Sequence, residues 1–133
     1  MRPELTAGDE WLTFAVADLQ FAHATVEIES PQVVELRCFH CQQAAEKAIK
    51  AVLAHLGIEF PWIHRIELLI SLLPSTVDVP GAVTAAGMLT PYASAARYPD
   101  IAEMIDANDL AEALELARIA IDWAGSIVHP ASE

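Results

Sequence analysis

The chain has 133 residues, a length typical of a single domain that buries about two-thirds of its unfolded surface. Hydrophobic residues make up 54% of it, which excludes an intrinsically disordered chain, and a formal net charge of −12 disfavours nonspecific binding to nucleic acid because phosphate backbones are repelled. No apolar run approaches the roughly 20 residues that cross a bilayer, and the N-terminal segment is acidic where a signal peptide is apolar, so we expect a soluble, cytoplasmic protein without a membrane span.

The N-terminal half predicts two long helices separated by a break at Ser30-Pro31. The first begins near Asp9 as its N-cap, and the second runs from about Gln32 to Leu56 with Gly57 just beyond its C-terminus. Apolar residues three and four apart form the buried stripe of the first helix: Leu12, Val16, Leu19, Ala22 and Val26. The buried stripe of the second comprises Cys38, Cys41, Ala45, Ala48, Val52 and Leu56.

Four polar residues lie three or four apart on a neighbouring face of the second helix: His40, Gln43, Lys47 and Lys50. Two interpretations are open. The face is either solvated surface, to which an i,i+4 pair of Glu46 and Lys50 contributes, or it lines a cleft that holds a ligand.

The C-terminal half predicts a short helix at about Arg65–Leu73 with His64 near its N-terminus, and a helix at about Ala82–Arg97 that Pro91 kinks or divides. A further helical turn is expected within residues 101–108. The last helix is predicted to be capped by Asp109 with Glu112. Its buried stripe is Leu110, Leu114, Ala117, Ile121, Ala124 and Val128. No alternating strand pattern occurs, so the sequence predicts an all-α antiparallel bundle.

The chain carries no motif for a metal or a cofactor. Cys38-x-x-Cys41 supplies only two of the four ligands of a structural zinc site, and no Glu-x-x-His pair for a di-iron centre is present. The P-loop, the Rossmann glycine pattern and the nucleophile elbow are also missing from the sequence. We therefore interpret both cysteines as core residues and expect no metal and no cofactor.

The order of three segments resembles the HEPN ("higher eukaryotes and prokaryotes nucleotide-binding") family. They are CQQAAEKAIKAVLAHLGIEFP, then His64 followed by ELLISLL, then ARYPD before an alanine-rich last helix. The resemblance runs from about Trp11 to Val128. It implies a four- to five-helix up-and-down bundle that commonly dimerises, so we expect one domain over residues 1–133 with its core at about 9–128. The apolar Trp62 and Trp123 also favour a homodimer, since one bundle of this size does not easily hide them.

The resemblance implies one of two roles. Many family members resemble metal-independent endoribonucleases, often toxins, with an Arg-x4-6-His motif; others are non-catalytic and are encoded beside a minimal nucleotidyltransferase partner. The motif is absent here, because Arg37 lies only three residues before His40 and the next histidine after Arg97 is His129. We therefore expect a non-catalytic, toxin–antitoxin-like binding protein that engages a nucleotide, a nucleotidyltransferase protein, or both.

The predicted ligand-binding residues combine the polar face of the second helix with the two later segments: His40, Gln43, Lys47, Lys50, His64, Arg97, Tyr98 and Asp100. The family often has Asp after the His of the third helix, but this chain has Arg65, so no role is expected for a carboxylate there. One rival hypothesis is a ribonuclease site rearranged from His40, His64 and Arg97. The other is a plain helical interaction module.

Overall fold

A computed structural model describes residues 6–24, 30–95 and 105–130. Its elements, in chain order, are α1 (Ala7–His23), α2 (Pro31–His55), α3 (Ile66–Ser71), α4 (Gly81–Thr84), a 3-10 helix η1 (Ala85–Leu89), α5 (Tyr92–Ala95) and α6 (Ala107–Val128). These described residues contain no strand, and the predicted all-α class is confirmed. None of their helices is long and apolar enough to cross a membrane.

Side-chain caps fix where the long helices begin, and two of them lie one turn earlier than predicted. Thr6 caps α1: its hydroxyl accepts from the Asp9 amide at 3.1 Å, and the Asp9 carboxylate accepts from the Thr6 amide at 3.1 Å. Asp106 and Asp109 form the same reciprocal box at the start of α6, at 2.9 Å in both directions. Asp9 and Asp109 are therefore third-position partners in capping boxes, and the prediction that each is the N-cap was wrong.

Helix α2 is the central element, packed between α1 on one side and α6 on the other. Small residues line these contacts and let the helix axes approach closely: Ala15 and Ala22 on α1, Ala44, Ala45 and Ala48 on α2, and Ala113, Ala117, Ala120 and Ala124 on α6. At the start of α1, a Cβ on Gly8 would lie 3.1 Å from the Ala51 carbonyl oxygen and 3.1 Å from His55 Cβ. A glycine is thus what lets α1 meet the last turns of α2.

The predicted buried stripes hold for most of their length and fail near their ends. On α2 the stripe is buried from Cys38 to Val52, but Leu56 is exposed because it is already the C-cap; Gly57 follows with φ of 72°, in the left-handed region. On α1, Val16 is exposed because Ala15 and Ala22 form the buried face towards α2 instead. Val26 lies outside the described residues.

The region between α2 and α6 is more divided than predicted. Arg65 is the N-cap of α3, so His64 precedes this helix rather than opening it, and α3 is shorter than the expected Arg65–Leu73. The predicted single helix over 82–97 is α4, η1 and α5 in succession, with Pro91 between the last two. Residues 96–104 lie outside the described part of the chain, including most of the turn predicted within 101–108.

Candidate binding face between α1 and α2

Three polar side chains of α2 lie against three aromatic rings of α1. Because the two helices are antiparallel, the pairs run in opposite orders along them: His40 with Phe21 (ring centroids 4.7 Å apart), Lys47 with Phe14 (Nζ to centroid 5.8 Å) and Lys50 with Trp11 (5.2 Å). We call these six residues the cation–aromatic ladder. The polar face that the sequence pattern marked on α2 is therefore the edge of its contact with α1.

At one end of the ladder, a single carboxylate on α1 holds two of the α2 side chains. Asp18 accepts a hydrogen bond from Lys47 Nζ at 2.6 Å, and its other oxygen lies 3.0 Å from His40 Nδ1. The Asp18 side chain is 13% exposed, so water screens this arrangement only partly. His40 and Lys47 are thus held in place by one charge-assisted pair of contacts.

At the other end, a carboxylate of α2 lies in the core with its own partners. Glu46 is 2% exposed, and its Oε2 accepts from Lys50 Nζ at 2.9 Å. Its Oε1 accepts from Gln42 Nε2 at 3.0 Å and lies 3.0 Å from His64 Nδ1. Gln42 Nε2 also lies 3.1 Å from the His64 carbonyl oxygen, which ties the connector after α2 to the helix. The predicted pair of Glu46 and Lys50 forms, but it is buried rather than solvated.

A small pocket opens beside Lys50, with aromatic walls. Trp11 and Phe60 meet edge to face with ring centroids 5.8 Å apart, and Lys50 Nζ lies 5.7 Å from the centre of the Phe60 ring. Pro61 and Trp62 complete the lining, and the volume of the pocket is about 120 Å³. We call this the aromatic pocket. The indole of Trp62 is 98% exposed, so it forms an open lip rather than part of the core.

The structure brings five of the predicted site residues into two groups. His40 and Lys47 meet at Asp18, whereas Lys50 and His64 meet at Glu46. Gln43 joins the second group indirectly, because its Nε2 donates to Gln42 Oε1 at 2.7 Å. Arg97, Tyr98 and Asp100 lie outside the described residues, so the cleft that they were predicted to complete remains a prediction.

Sequence reasoning missed the residues that organise both groups: Asp18, Gln42 and the aromatic Trp11. One signal was present, since Gln42, Glu46 and Lys50 recur every four residues inside an alanine-rich helix. That spacing places three polar groups in one line on the helix. Asp18, a lone acid between apolar stripe residues of α1, was the other signal.

The two cysteines lie in the core, as predicted. Burial raises the pKa of the Cys38 thiol to about 11 and that of Cys41 to about 12, so both stay protonated at neutral pH. A thiolate is the form that binds metal or attacks a disulfide, which makes these side chains inert packing groups. Within the described ranges, no three His, Cys, Asp or Glu side chains are grouped to hold a metal ion.

The chain is similar to two solved structures along most of its length. TT1696 from Thermus thermophilus is 31% identical, with a TM-score of 0.78 over 92% of this chain and 99% of that one. ST0689, an archaeal HEPN homologue, is 28% identical, with a TM-score of 0.71 over 93% of this chain and 99% of that one. The family model of the HEPN domain matches residues 9–127. No match was found among curated proteins.

Proposed function

This chain belongs to the HEPN domain family, and from that premise we propose that it is a non-catalytic binding module that works as a homodimer. Its partner is a minimal nucleotidyltransferase protein, and a nucleotide is the alternative ligand. The observation that carries the proposal is the cation–aromatic ladder, a surface on which the rings of Phe14 and Phe21 are open to solvent while the charges are already paired.

The exposed rings are the first support. Phe14 is 62% and Phe21 is 67% exposed, and because they lie seven residues apart, both stand on one face of α1. Beside Phe21, a groove of about 220 Å³ runs along apolar parts of Ala24, Val33 and Leu36. Adjacent exposed rings and aliphatic side chains are typical of the centre of a protein–protein interface.

The paired charges are the second support. Two copies that each carry −12 repel one another, so a homodimer needs a contact face that adds little charge of its own. On the ladder, Asp18 is neutralised by Lys47 and contacts His40. A twofold arrangement would then bring Phe14 and Phe21 of one copy against the same residues of the other, because a twofold interface uses one patch twice. The aromatic pocket, at the far end of the ladder, stays open for the partner.

The engagement of the basic groups supports a binding role over ribonuclease chemistry. Arg37 Nε donates to the Ala22 carbonyl at 2.7 Å, which joins α2 to the end of α1. His40 is held at Asp18, and the centroids of the Phe21 and Phe39 rings lie 4.7 and 5.5 Å from its own. A general acid or base must reach the proton it moves, with a cation to steady the phosphate, and no arginine precedes His40 at the Arg-x4-6-His spacing.

The test is the mass of the protein in solution, measured by light scattering after size exclusion. We expect the parent to have twice the chain mass at micromolar concentration and the double variant Phe14→Ser with Phe21→Ser to have the monomer mass. Met88→Ser is the matched control, since Met88 is 63% exposed on η1, away from the ladder. A monomeric parent, or a dimeric double variant, would contradict the dimer.

The partner is tested separately by coexpression with a minimal nucleotidyltransferase protein encoded beside this chain. We expect the two to copurify at a fixed ratio, and Trp62→Ala to weaken that association without changing the homodimer. RNA cleavage by the purified parent, lost in His40→Ala or His64→Ala, would instead support the ribonuclease hypothesis. Tight binding of a nucleotide without any protein partner would favour the alternative ligand.

A further inference from the structure

We propose that the aromatic pocket is a socket for one tyrosine side chain of a protein partner. The lining residues Trp11, Phe60 and Trp62 supply the ring contacts, and Lys50 supplies a hydrogen-bond donor to the phenolic oxygen. The inference rests on the proposed function only in that a protein supplies the ring. The size, the charge balance and the hydrogen-bonding capacity of the pocket each limit which chemical group can occupy it.

The size admits one ring and little more. The volume of about 120 Å³ is close to that of engineered apolar cavities, roughly 150 Å³, which bind benzene. It lies well below the roughly 300–1,000 Å³ of pockets that enclose a whole small-molecule ligand. An aromatic side chain therefore fits, with the backbone that carries it outside the mouth.

The charge balance favours a neutral occupant. Lys50 and Glu46 form a pair at 2.9 Å, so the inner end of the pocket has no net charge when His64 is neutral. A phosphate or carboxylate would meet a Lys50 ammonium that Glu46 already neutralises, in the field of a protein with a net charge of −12. A cationic group would meet Lys50, whose ammonium already lies against the rings of Trp11 and Phe60.

The hydrogen-bonding capacity favours a ring with a polar tip. An ammonium has three donors, yet in the described part of the chain Lys50 Nζ donates one hydrogen bond, to Glu46. Lys50 is 5% exposed and lines the pocket, so an occupant of the pocket displaces the water that its other donors can reach. A phenolic oxygen would accept from this ammonium, whereas the ring of a phenylalanine would leave it as it is.

The pocket is also held in shape before any partner arrives. The Ile63 amide donates to the Pro61 carbonyl at 2.9 Å, and Gln42 fixes the connector at the His64 carbonyl. These hydrogen bonds fix the backbone on both sides of Trp62, whose almost fully exposed indole projects from the connector. A preformed site with an exposed tryptophan at its edge is typical of positions that dominate binding energy in protein interfaces.

The experiment uses the full chain, labelled with nitrogen-15, and N-acetyl-L-tyrosinamide as the probe. The indole signals of the three tryptophans report the result, and Trp123 is an internal control because its Nε1 donates to the Asp78 carbonyl in a different hollow. We expect saturable shifts at Trp11 and Trp62 and none at Trp123. N-acetyl-L-phenylalaninamide should bind about tenfold more weakly, because the ammonium gains no partner.

Two variants separate the ring contacts from the polar contact. Trp62→Ala removes an exposed side chain without a fold penalty and should abolish the Trp11 shift, whereas Met88→Ala should leave it unchanged. The double variant Glu46→Gln with Lys50→Met should bind both probes equally. The absence of shifts at millimolar probe, equal binding of the two probes by the parent, or tighter binding of uridine monophosphate would overturn the proposal.

Failure of the socket and failure of the proposed function can be told apart. Copurification with a nucleotidyltransferase protein that Trp62→Ala leaves intact would overturn the socket and leave the binding module standing. Saturable probe binding by a chain that associates with no such protein would overturn the proposed partner and leave the socket standing.

Discussion

The two ends of the cation–aromatic ladder contain the same three kinds of side chain but differ in how deeply the carboxylate is buried. At each end one carboxylate is shared by a lysine and a histidine: Asp18 with Lys47 and His40, and Glu46 with Lys50 and His64. Asp18 crosses from α1 to α2 and is reached by solvent, whereas Glu46 pairs within α2 and is buried. The first arrangement therefore joins two helices, while the second fixes the shape of a pocket.

Removing the charge of Glu46 should have the largest effect on stability. Glu46→Gln keeps the shape of the side chain but leaves the Lys50 ammonium buried without a counter-charge, which costs about 3 kcal/mol or more. Urea denaturation followed by circular dichroism measures the loss. The double variant Glu46→Gln with Lys50→Met should recover most of it, because two neutral groups need no pairing. A single variant as stable as the parent would show that water reaches Lys50.

The burial of Glu46 also marks the limit of what the sequence could predict. The three long helices follow from apolar residues spaced three and four positions apart, and most of these residues form the contacts between α1, α2 and α6. Polar residues every four positions on α2 fit an exposed stripe equally well. Their burial depends on the connector at residues 60–65 folding back over the helix, and no local period encodes that path.

Helix starts were predicted one turn late for a related reason. In Thr6 with Asp9, and in Asp106 with Asp109, each box has two residues that are both good N-caps. Apolar periodicity begins nearer the second, so the pattern favours it. In the structure the N-cap is the first residue of each box, because Thr6 and Asp106 have the extended backbone that an N-cap adopts. The candidate site was predicted in part: its α2 residues follow from helix geometry, but their α1 partners require knowledge of the tertiary register.

Removing the carboxylate charge at the Asp18 end of the ladder should cost less stability than removing it at Glu46. Asp18→Asn leaves Lys47 without its counter-charge at a place that water can reach, so we expect a cost of about 1–2 kcal/mol. The comparison uses the same urea titration as for Glu46→Gln. If the two losses are equal, the difference in burial between the two carboxylates has no energetic meaning.

Replacing the more buried of the two histidines, His40, should cost more stability than replacing His64. His40 lies against Phe21 and Phe39, and His40→Ala should cost about 1 kcal/mol through lost ring contacts. His64 has a side chain that is 66% exposed, and His64→Ala should change stability by no more than about 0.5 kcal/mol. Thermal unfolding of both variants checks the order. A larger loss for His64→Ala would mean that it is an essential partner of Glu46 rather than an accessory one.

The smallest expected effect lies outside the ladder, at the carboxylate that the capping box holds at the start of α1. Hydrogen bonds from the Thr6 side chain and amide, with a smaller contribution from His129, lower the pKa of Asp9 below its ordinary 3.8. A lowered pKa in the folded state means that Asp9 contributes stability above pH 3.8 and that this contribution is lost as the pH falls through its folded value. Below pH 3.8, the free energy of unfolding of Asp9→Asn should therefore depend less steeply on pH than that of the parent. At about pH 6 the two slopes should be nearly the same. Denaturation midpoints for parent and variant between about pH 2.5 and about pH 6 measure this, since the linkage slope counts the protons taken up on unfolding. Parallel curves over the acid range would mean that the capping box holds Asp9 equally well in its protonated form.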